Sequence, residues 1–163
     1  MPELSDDVRV LLAGRRYATL ATYDRDETIH LTPVWFLFDG RRFYFGSSSA
    51  SRKIENLRRK ALASVVVDSR RPGSECWVSA SGTTEILTGQ EALAINASIR
   101  RRYLTQEAID DARIGPVFAA GDDVNIRLTP TGWRSWTVRD HDERAFGGIL
   151  GRTPERWFLP VDA

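Results

Sequence analysis

Cysteine and histidine are scarce in this sequence of 163 residues. The chain has one cysteine, Cys76, and two histidines, His30 and His141. A single cysteine excludes a disulfide within the chain and a cysteine-rich zinc site. Two histidines are too few for a multi-histidine metal centre. We therefore expect no metal site.

Long apolar runs and an excess of one charge are also missing. No apolar run approaches the roughly 20 residues of a membrane helix. Residues 1–7 are acidic and lack the basic and apolar regions of a signal peptide. The 23 Lys+Arg and 22 Asp+Glu residues give a net charge of +1, whereas nucleic-acid-binding proteins are usually strongly basic. We expect a cytoplasmic protein that binds neither nucleic acid nor membranes.

Strand patterns bounded by turns alternate with helical patterns along a chain whose length suits one domain. Strands are predicted over residues 17–23, 28–38, 42–47, 63–68, 76–87 and 124–138, the last as one bent strand or a pair. Helical patterns run from Ser5 to Gly14 and over 52–60, 90–103 and 105–114, whereas the pattern weakens after residue 138. About six strands with short hairpins predict a mainly β (α+β) fold, a small antiparallel barrel with flanking helices.

Two local signals shape the second and third strands. Pro33 interrupts the 28–38 pattern and removes a ladder donor, which predicts an edge strand, a bulge or a bend. Asp39-Gly40 is a strong hairpin signal before the returning strand.

A serine-rich loop leads from the 42–47 strand into a helix that opens with Arg52 and Lys53. Hydroxyls and free amides at a helix N-terminus attract anions, and two cations would add charge-assisted bonds to a phosphate. Lys53 is also one of only two lysines, with Lys60. The pattern predicts a phosphate site, although a capped surface helix with solvated cations has the same sequence features.

The segment around Pro33 offers a second candidate site, because a bent strand exposes backbone groups and Trp35 and Phe36 supply flat apolar walls. A bent core strand with a packed tryptophan is the alternative. The sequence identifies no catalytic residue. We expect Cys76 to be a buried, unreactive thiol that packs in the core, His30 to lie on the polar face of its strand and His141 to be exposed to solvent.

Together these residues resemble the pyridoxamine 5′-phosphate oxidase-like family of split β-barrels that bind flavin or deazaflavin, most closely its actinobacterial members, which use coenzyme F-420. The matching segments occur in the family's order and comprise residues 18–22, 30–36, 51–59, 78–84 and 126–130, with Trp133 and Trp136.

The resemblance implies a six-stranded split barrel over residues 1–138 that forms a homodimer with two cofactor sites at the interface. A C-terminal tail, residues 139–163, would pack on the barrel or on the partner subunit. The cofactor phosphate would lie where the strand ending at Ser47 meets the helix with Lys53, and the ring along the bent strand. The implied cofactor-binding residues are Thr32, Pro33, Val34, Trp35, Ser47, Ser48, Ser49, Ser51, Arg52, Lys53 and Trp77.

The function implied by the resemblance is hydride transfer between coenzyme F-420, or FMN, and a small unsaturated substrate. One alternative is a protein that carries flavin, F-420 or haem without turnover. Another is oxidation of pyridoxamine phosphate, which is the weaker alternative because the sequence shows no further basic residues that we can assign to a phosphorylated substrate.

Overall fold

One antiparallel sheet organises the chain in the computed structural model, which describes residues 4–160. Its strands are β1 (Ala18–Tyr23), β2 (Ile29–Val34), β3 (Leu37–Phe38), β4 (Phe43–Ser47), β5 (Leu62–Ser69), β6 (Cys76–Leu87) and β7 (Val124–Thr137). The helices are α1 (Asp6–Ala13), α2 (Arg52–Arg59), α3 (Gly89–Tyr103), α4 (Gln106–Asp110), α5 (Gly115–Ala120), α6 (Val138–Phe146), α7 (Ile149–Arg152) and α8 (Pro154–Trp157).

The strands lie in the order β2-β1-β5-β6-β7-β4-β3, with every neighbouring pair antiparallel. This half-barrel with flanking helices confirms the split β-barrel class, with seven strands instead of six because the two-residue β3 forms a strand of its own. Within residues 4–160, no helix has the length and apolar character needed to cross a membrane. The cytoplasmic location stays a prediction.

Pro33 lies on an edge strand, as its missing N–H requires. The prediction of one strand over residues 28–38 is wrong, because β2 ends at Val34 and the chain crosses to the opposite edge of the sheet to form β3. β3 then pairs with β4 through the predicted hairpin, in which Gly40 has φ of 95°. The side chain of Asp39 accepts hydrogen bonds from the amides of Arg41 and Arg42 in this turn.

Core-facing side chains alternate along the strands. Phe43 and Phe45 of β4 and Ile126 and Leu128 of β7 have no exposed surface. Apolar residues of α1 and α2 complete the core, namely Val8, Leu11, Leu12, Ile54 and Leu57. Because successive strand residues point to opposite faces, the residues between these core residues form the outer face of the sheet.

Gly82 of β6 lies where β6 meets β7, the two longest strands, at a shift in their pairing register. The shift falls between Ser81 and Gly82. A Cβ atom on Gly82 would lie 2.0 Å from the carbonyl oxygen of Thr129, so only glycine permits this approach of β6 to β7.

The segment after β7, expected to lack a regular pattern, forms three short helices. The hydroxyl of Thr137 caps α6 by accepting a hydrogen bond from the amide of Asp140, and Gly147 ends the helix in the left-handed conformation. The carboxylate of Asp142 accepts the amides of Leu150 and Gly151 and so holds α7 against α6. Residues 1–3 and 161–163, at the ends of the predicted barrel and tail segments, lie outside the described residues.

Candidate functional site

A cavity of about 410 Å³ opens where the end of β2 approaches α2, α3 and α5. Pro33, Val34 and Trp35 form one wall of this cavity, and Lys53, from the first turn of α2, lines it from another side. Val117 and Phe118 of α5 and Asp122, just before β7, also line it. We call it the Lys53 cavity.

Four of the predicted cofactor-binding residues therefore meet at one site: Pro33, Val34, Trp35 and Lys53. Thr32 lies next to them on β2, but its hydroxyl is engaged with the ring Nε2 of His30 at 2.9 Å. The end of β2 and the start of α2, which are about twenty residues apart in sequence, are thus brought together by the fold.

Trp35 stacks with two other aromatic rings. Its ring lies parallel to that of Tyr103, with centroids 5.0 Å apart and an interplanar angle of 2°. Phe118 stacks on it from α5 at 5.5 Å. Each stacked pair stabilises this arrangement by about 0.5–1.5 kcal/mol beyond area burial. The stack connects α5, whose Val117 is 69% exposed, to the body of the protein.

Lys53 is a partly buried cation with no ion-pair partner among residues 4–160. Burial lowers the pKa of its ammonium group, and the negative charge of Asp122 partly offsets that change. Asp122 is itself near Arg100, with 3.6 Å between Oδ2 and Nη1, and burial raises the pKa of its carboxyl group. An anion placed in the cavity would give Lys53 the partner that it lacks.

The polar groups of the serine loop are engaged in hydrogen bonds with one another and with Asp123. The hydroxyls of Ser47 and Ser51 lie 2.9 Å apart, and the amide of Ser49 donates to Oδ1 of Asp123 at 2.6 Å. The hydroxyl of Ser48 accepts the amide of Ala50. In the described part of the chain, none of the four predicted serines lines the Lys53 cavity. Ser51, at the N-cap of α2, forms no side-chain cap, so its hydroxyl does not occupy the amides of the first turn.

Arg52 lies apart from the Lys53 cavity. Its guanidinium binds the carboxylate of Asp24 through both oxygens, with Nε–Oδ1 of 2.8 Å and Nη2–Oδ2 of 2.7 Å. The amide of Asn56 donates to the same carboxylate at 2.8 Å. These bonds, that from Asn56 above all, hold the pKa of Asp24 below its ordinary value.

Trp77 is also remote from the cavity. It lies on β6 between Asp68 of β5 and Trp136 of β7, on the face of the sheet opposite to the buried Val78. Pro33 of the cavity wall lies on the same face, but Trp77 is not among the lining residues.

Several lining residues were not identified from the sequence. Tyr17, Ile99, Phe118 and Asp122 come from four separate segments and carry no local motif. Gly46 of β4 is the one residue whose type points to this site, because a Cβ atom there would lie 3.0 Å from Oδ1 of Asp122. Its lack of a side chain leaves space for that carboxylate.

The outer face of β2, β1 and β5 carries a group of exposed apolar side chains. Ile29 is 51% exposed, Leu31 61% and Leu62 43%. Pro33 lies on the same face as Leu31. We call this group the outer apolar face.

Comparison with known proteins identifies one matching family model and several solved structures with a similar fold. The family model described as pyridoxamine 5′-phosphate oxidase matches residues 4–137. No curated protein matches the sequence.

Solved structures resemble the fold over most of its length. A conserved hypothetical protein from Mycobacterium tuberculosis is 24% identical, with 99% of this chain and 92% of that one covered and a TM-score of 0.69. An F-420 reductase is also 24% identical, over 82% of this chain and 98% of that one, with a TM-score of 0.63. HutZ, the haem storage protein from Vibrio cholerae, is 13% identical over 83% and 94%, with a TM-score of 0.62. At these identities the likeness concerns the fold.

Proposed function

The chain belongs to the pyridoxamine 5′-phosphate oxidase family, and on that basis we propose that it is an oxidoreductase that binds FMN or coenzyme F-420 in the Lys53 cavity. The reaction is hydride transfer between this cofactor and a small unsaturated substrate. The observation that carries the proposal is the position of Lys53, a partly buried cation without an ion-pair partner in the described residues, beside the apolar wall of Pro33 and Trp35.

The residues of the cavity fit a phosphorylated ring compound. The volume of about 410 Å³ lies within the range of roughly 300–1,000 Å³ that is typical of ligand pockets. One side is flat and apolar, and Lys53 supplies a point charge for a phosphate oxygen. When bound, the cofactor supplies the redox chemistry, and the protein supplies orientation and electrostatics.

The chain's own residues would act in three ways. Lys53 binds the phosphate and fixes the position of the cofactor. Pro33 and Trp35 form the wall against which a ring packs, and Phe118 limits access of water from the side of α5. Since the Trp35 ring already stacks with Tyr103 and Phe118, a cofactor ring contacts the part of Trp35 that these two rings leave uncovered.

A haem carrier is the main alternative, because HutZ shares the fold. Haem iron is usually held by an axial side chain such as histidine. Neither histidine of this chain lines the Lys53 cavity: His30 is engaged with Thr32, and His141 packs between Trp136 and Phe146. The donor set of the cavity therefore favours a phosphorylated flavin or deazaflavin over haem.

We also propose that the protein forms a homodimer through the outer apolar face. Contiguous exposed apolar patches usually mark interaction sites, and Ile29 and Leu31 of β2 lie on the same face of the sheet as Leu62 of β5, with β1 between the two strands.

The decisive experiment is a titration of the purified protein with FMN, with F-420 and with haem, followed by turnover assays of the reduced cofactor with a test enone. We expect saturable binding of FMN or F-420 and, with dioxygen excluded because it oxidises reduced flavin by itself, oxidation of the reduced cofactor only when the enone is present. Saturable binding without turnover across a panel of unsaturated substrates would instead identify a carrier. Binding of haem alone would overturn the proposal.

A further inference from the structure

A second cavity, of about 270 Å³, lies between α1, the loop before β6 and the start of α6. It shares no lining residue with the Lys53 cavity. Its charged lining residues are Asp7, Arg16, Arg71, Glu75 and Arg139. We call it the Arg16–Glu75 cavity.

The charges in this cavity are only partly paired. Asp7 and Arg139 form an ion pair at 3.2 Å. Arg16 and Glu75 form no ion pair within residues 4–160, although both line the same cavity. Nε of Arg16 and Oε2 of Glu75 are each buried without a hydrogen-bond partner. Arg16 and Glu75 are half-buried, and a buried donor or acceptor atom without a partner is costly and uncommon, so one donor atom of Arg16 and one acceptor atom of Glu75 lack a complement here.

Both unpaired residues are held in place by other elements. The carbonyl of Arg16 accepts a hydrogen bond from the hydroxyl of Tyr103 at 2.7 Å. The carbonyl of Glu75 accepts one from the amide of Val138 at 2.8 Å. The backbones of the two residues are therefore fixed on separate segments, which lowers the cost of ordering the site when a ligand binds.

The cavity also depends on the segment beyond the family match. That match ends at residue 137, and Val138 and Arg139 of α6 line the cavity. The site is thus built jointly by the barrel and the helix that follows it.

We propose that the Arg16–Glu75 cavity binds a small zwitterion, with a carboxylate on the guanidinium of Arg16 and an ammonium group on the carboxylate of Glu75. A ligand with one charge of each sign satisfies both unpaired groups, whereas a simple anion or a simple amine leaves one of them without a partner. The exposed Arg71 adds positive charge for the carboxylate end. The volume, just below the usual range for ligand pockets, suits a metabolite of amino-acid size.

The proposal is tested by calorimetric titration of the full-length protein with glycine, β-alanine and γ-aminobutyrate, and with butyrate and n-butylamine as single-charge controls. We expect saturable binding of at least one amino acid, and binding of butyrate and butylamine weaker by about tenfold or more, because each lacks one charge-assisted bond. Arg16→Gln and Glu75→Gln should each weaken binding of the amino acid by a similar factor.

The matched control is Lys53→Ala, which alters the other cavity and should leave amino-acid binding unchanged. Thermal unfolding should show that Arg16→Gln and Glu75→Gln remain folded, since each removes a group that has no partner. Absence of saturable binding by every amino acid would overturn the proposal, as would butyrate binding as tightly as γ-aminobutyrate. Loss of binding in Lys53→Ala would place the ligand in the other cavity and would also overturn it.

Discussion

Arg52 and Lys53 are neighbours in the chain, but their side chains lie at different sites. Lys53 lines the proposed cofactor cavity, whereas Arg52 forms a two-point ion pair with Asp24. Successive residues of a helix differ by about 100° in direction, and here the two adjacent cations of the first turn point to different sites. In our proposal Lys53 binds the ligand, whereas Arg52 stabilises the fold.

Lys53→Ala should weaken binding of the cofactor by about tenfold to a hundredfold, because one charge-assisted bond to a charged group contributes roughly 1.5–3 kcal/mol. The measurement is a fluorescence or absorbance titration with FMN and F-420. Arg52→Ala and Lys60→Ala are the controls: the first loses an ion pair outside the cavity, and the second a contact with the ring of Tyr23. Equal effects of Lys53→Ala and Lys60→Ala would contradict the assignment.

Cofactor affinity should depend on the protonation of Lys53. Burial lowers the pKa of this lysine below its ordinary value of about 10.4. Affinity for an anion is therefore full below the lowered pKa and falls as the pH rises through it. In Lys53→Arg the charge persists to much higher pH, so its binding curve should stay flat over the same alkaline interval. Identical pH profiles for the two proteins would exclude Lys53 as the phosphate ligand.

Asp24 should make the stability of the protein sensitive to acid. Hydrogen bonds from Asn56 and the ion pair with Arg52 hold the pKa of Asp24 below its ordinary value of about 3.9. The stabilisation is present above that ordinary value and is lost as the pH falls through the lower folded-state pKa.

The test compares urea unfolding of wild type and Asp24→Asn from about pH 7 to about pH 3. Asp24→Asn should be less stable at neutral pH, and the difference in free energy of unfolding should shrink as the pH falls. Glu143→Gln, at an exposed position of α6, is the control and should follow the wild type. A difference that is constant with pH would show that the charge of Asp24 is not responsible.

Trp35→Ala should weaken cofactor binding several-fold while the protein stays folded, because the side chain is only half-buried. It removes two stacked contacts, which account for roughly 1–3 kcal/mol of the fall in the free energy of unfolding, and the lost apolar burial adds to that fall. The checks are thermal unfolding and cofactor titration. Trp157→Ala, in the exposed α8, is a matched tryptophan control. If Trp35→Ala unfolds the protein altogether, Trp35 is a structural residue and its role as a cofactor wall is wrong.

Leu31→Arg should convert the proposed dimer into a monomer, because it places a charge in the middle of the outer apolar face. Light scattering at micromolar concentration measures the mass directly. Leu93→Arg is a suitable control, since Leu93 is 41% exposed on α3 and lies away from that face. A wild-type protein that is monomeric with cofactor present would exclude the dimer.

Local patterns in the sequence were sufficient for most of the fold. Alternating apolar residues, the cap at Ser5 and the Asp39-Gly40 turn act between near neighbours, and the structure has the elements that they predict. The division of residues 28–38 between opposite sheet edges could not be read in this way, since it depends on pairing with β1 and β4. The helix α6 was missed because its surface is mostly polar, although Thr137 and Gly147 mark both its ends.

The candidate site was only partly predictable for a related reason. The motif around Lys53 and the bent strand at Pro33 are local, so each could be recognised separately. The direction of Arg52 depends on Asp24, 28 residues earlier. The contributions of Phe118 and Asp122 arise only when α5 and the start of β7 are folded onto the cavity.

Gly82 limits how far this sequence can vary. Any side chain at this position would have to displace the Thr129 carbonyl of the adjoining strand, and so would open the pairing of β6 with β7 along their length. Its neighbours Ser81 and Thr83 are exposed and meet no such restriction. In a library of single substitutions, positions 81 and 83 should therefore accept many residues, whereas every substitution at position 82, alanine included, should be recovered as a misfolded protein.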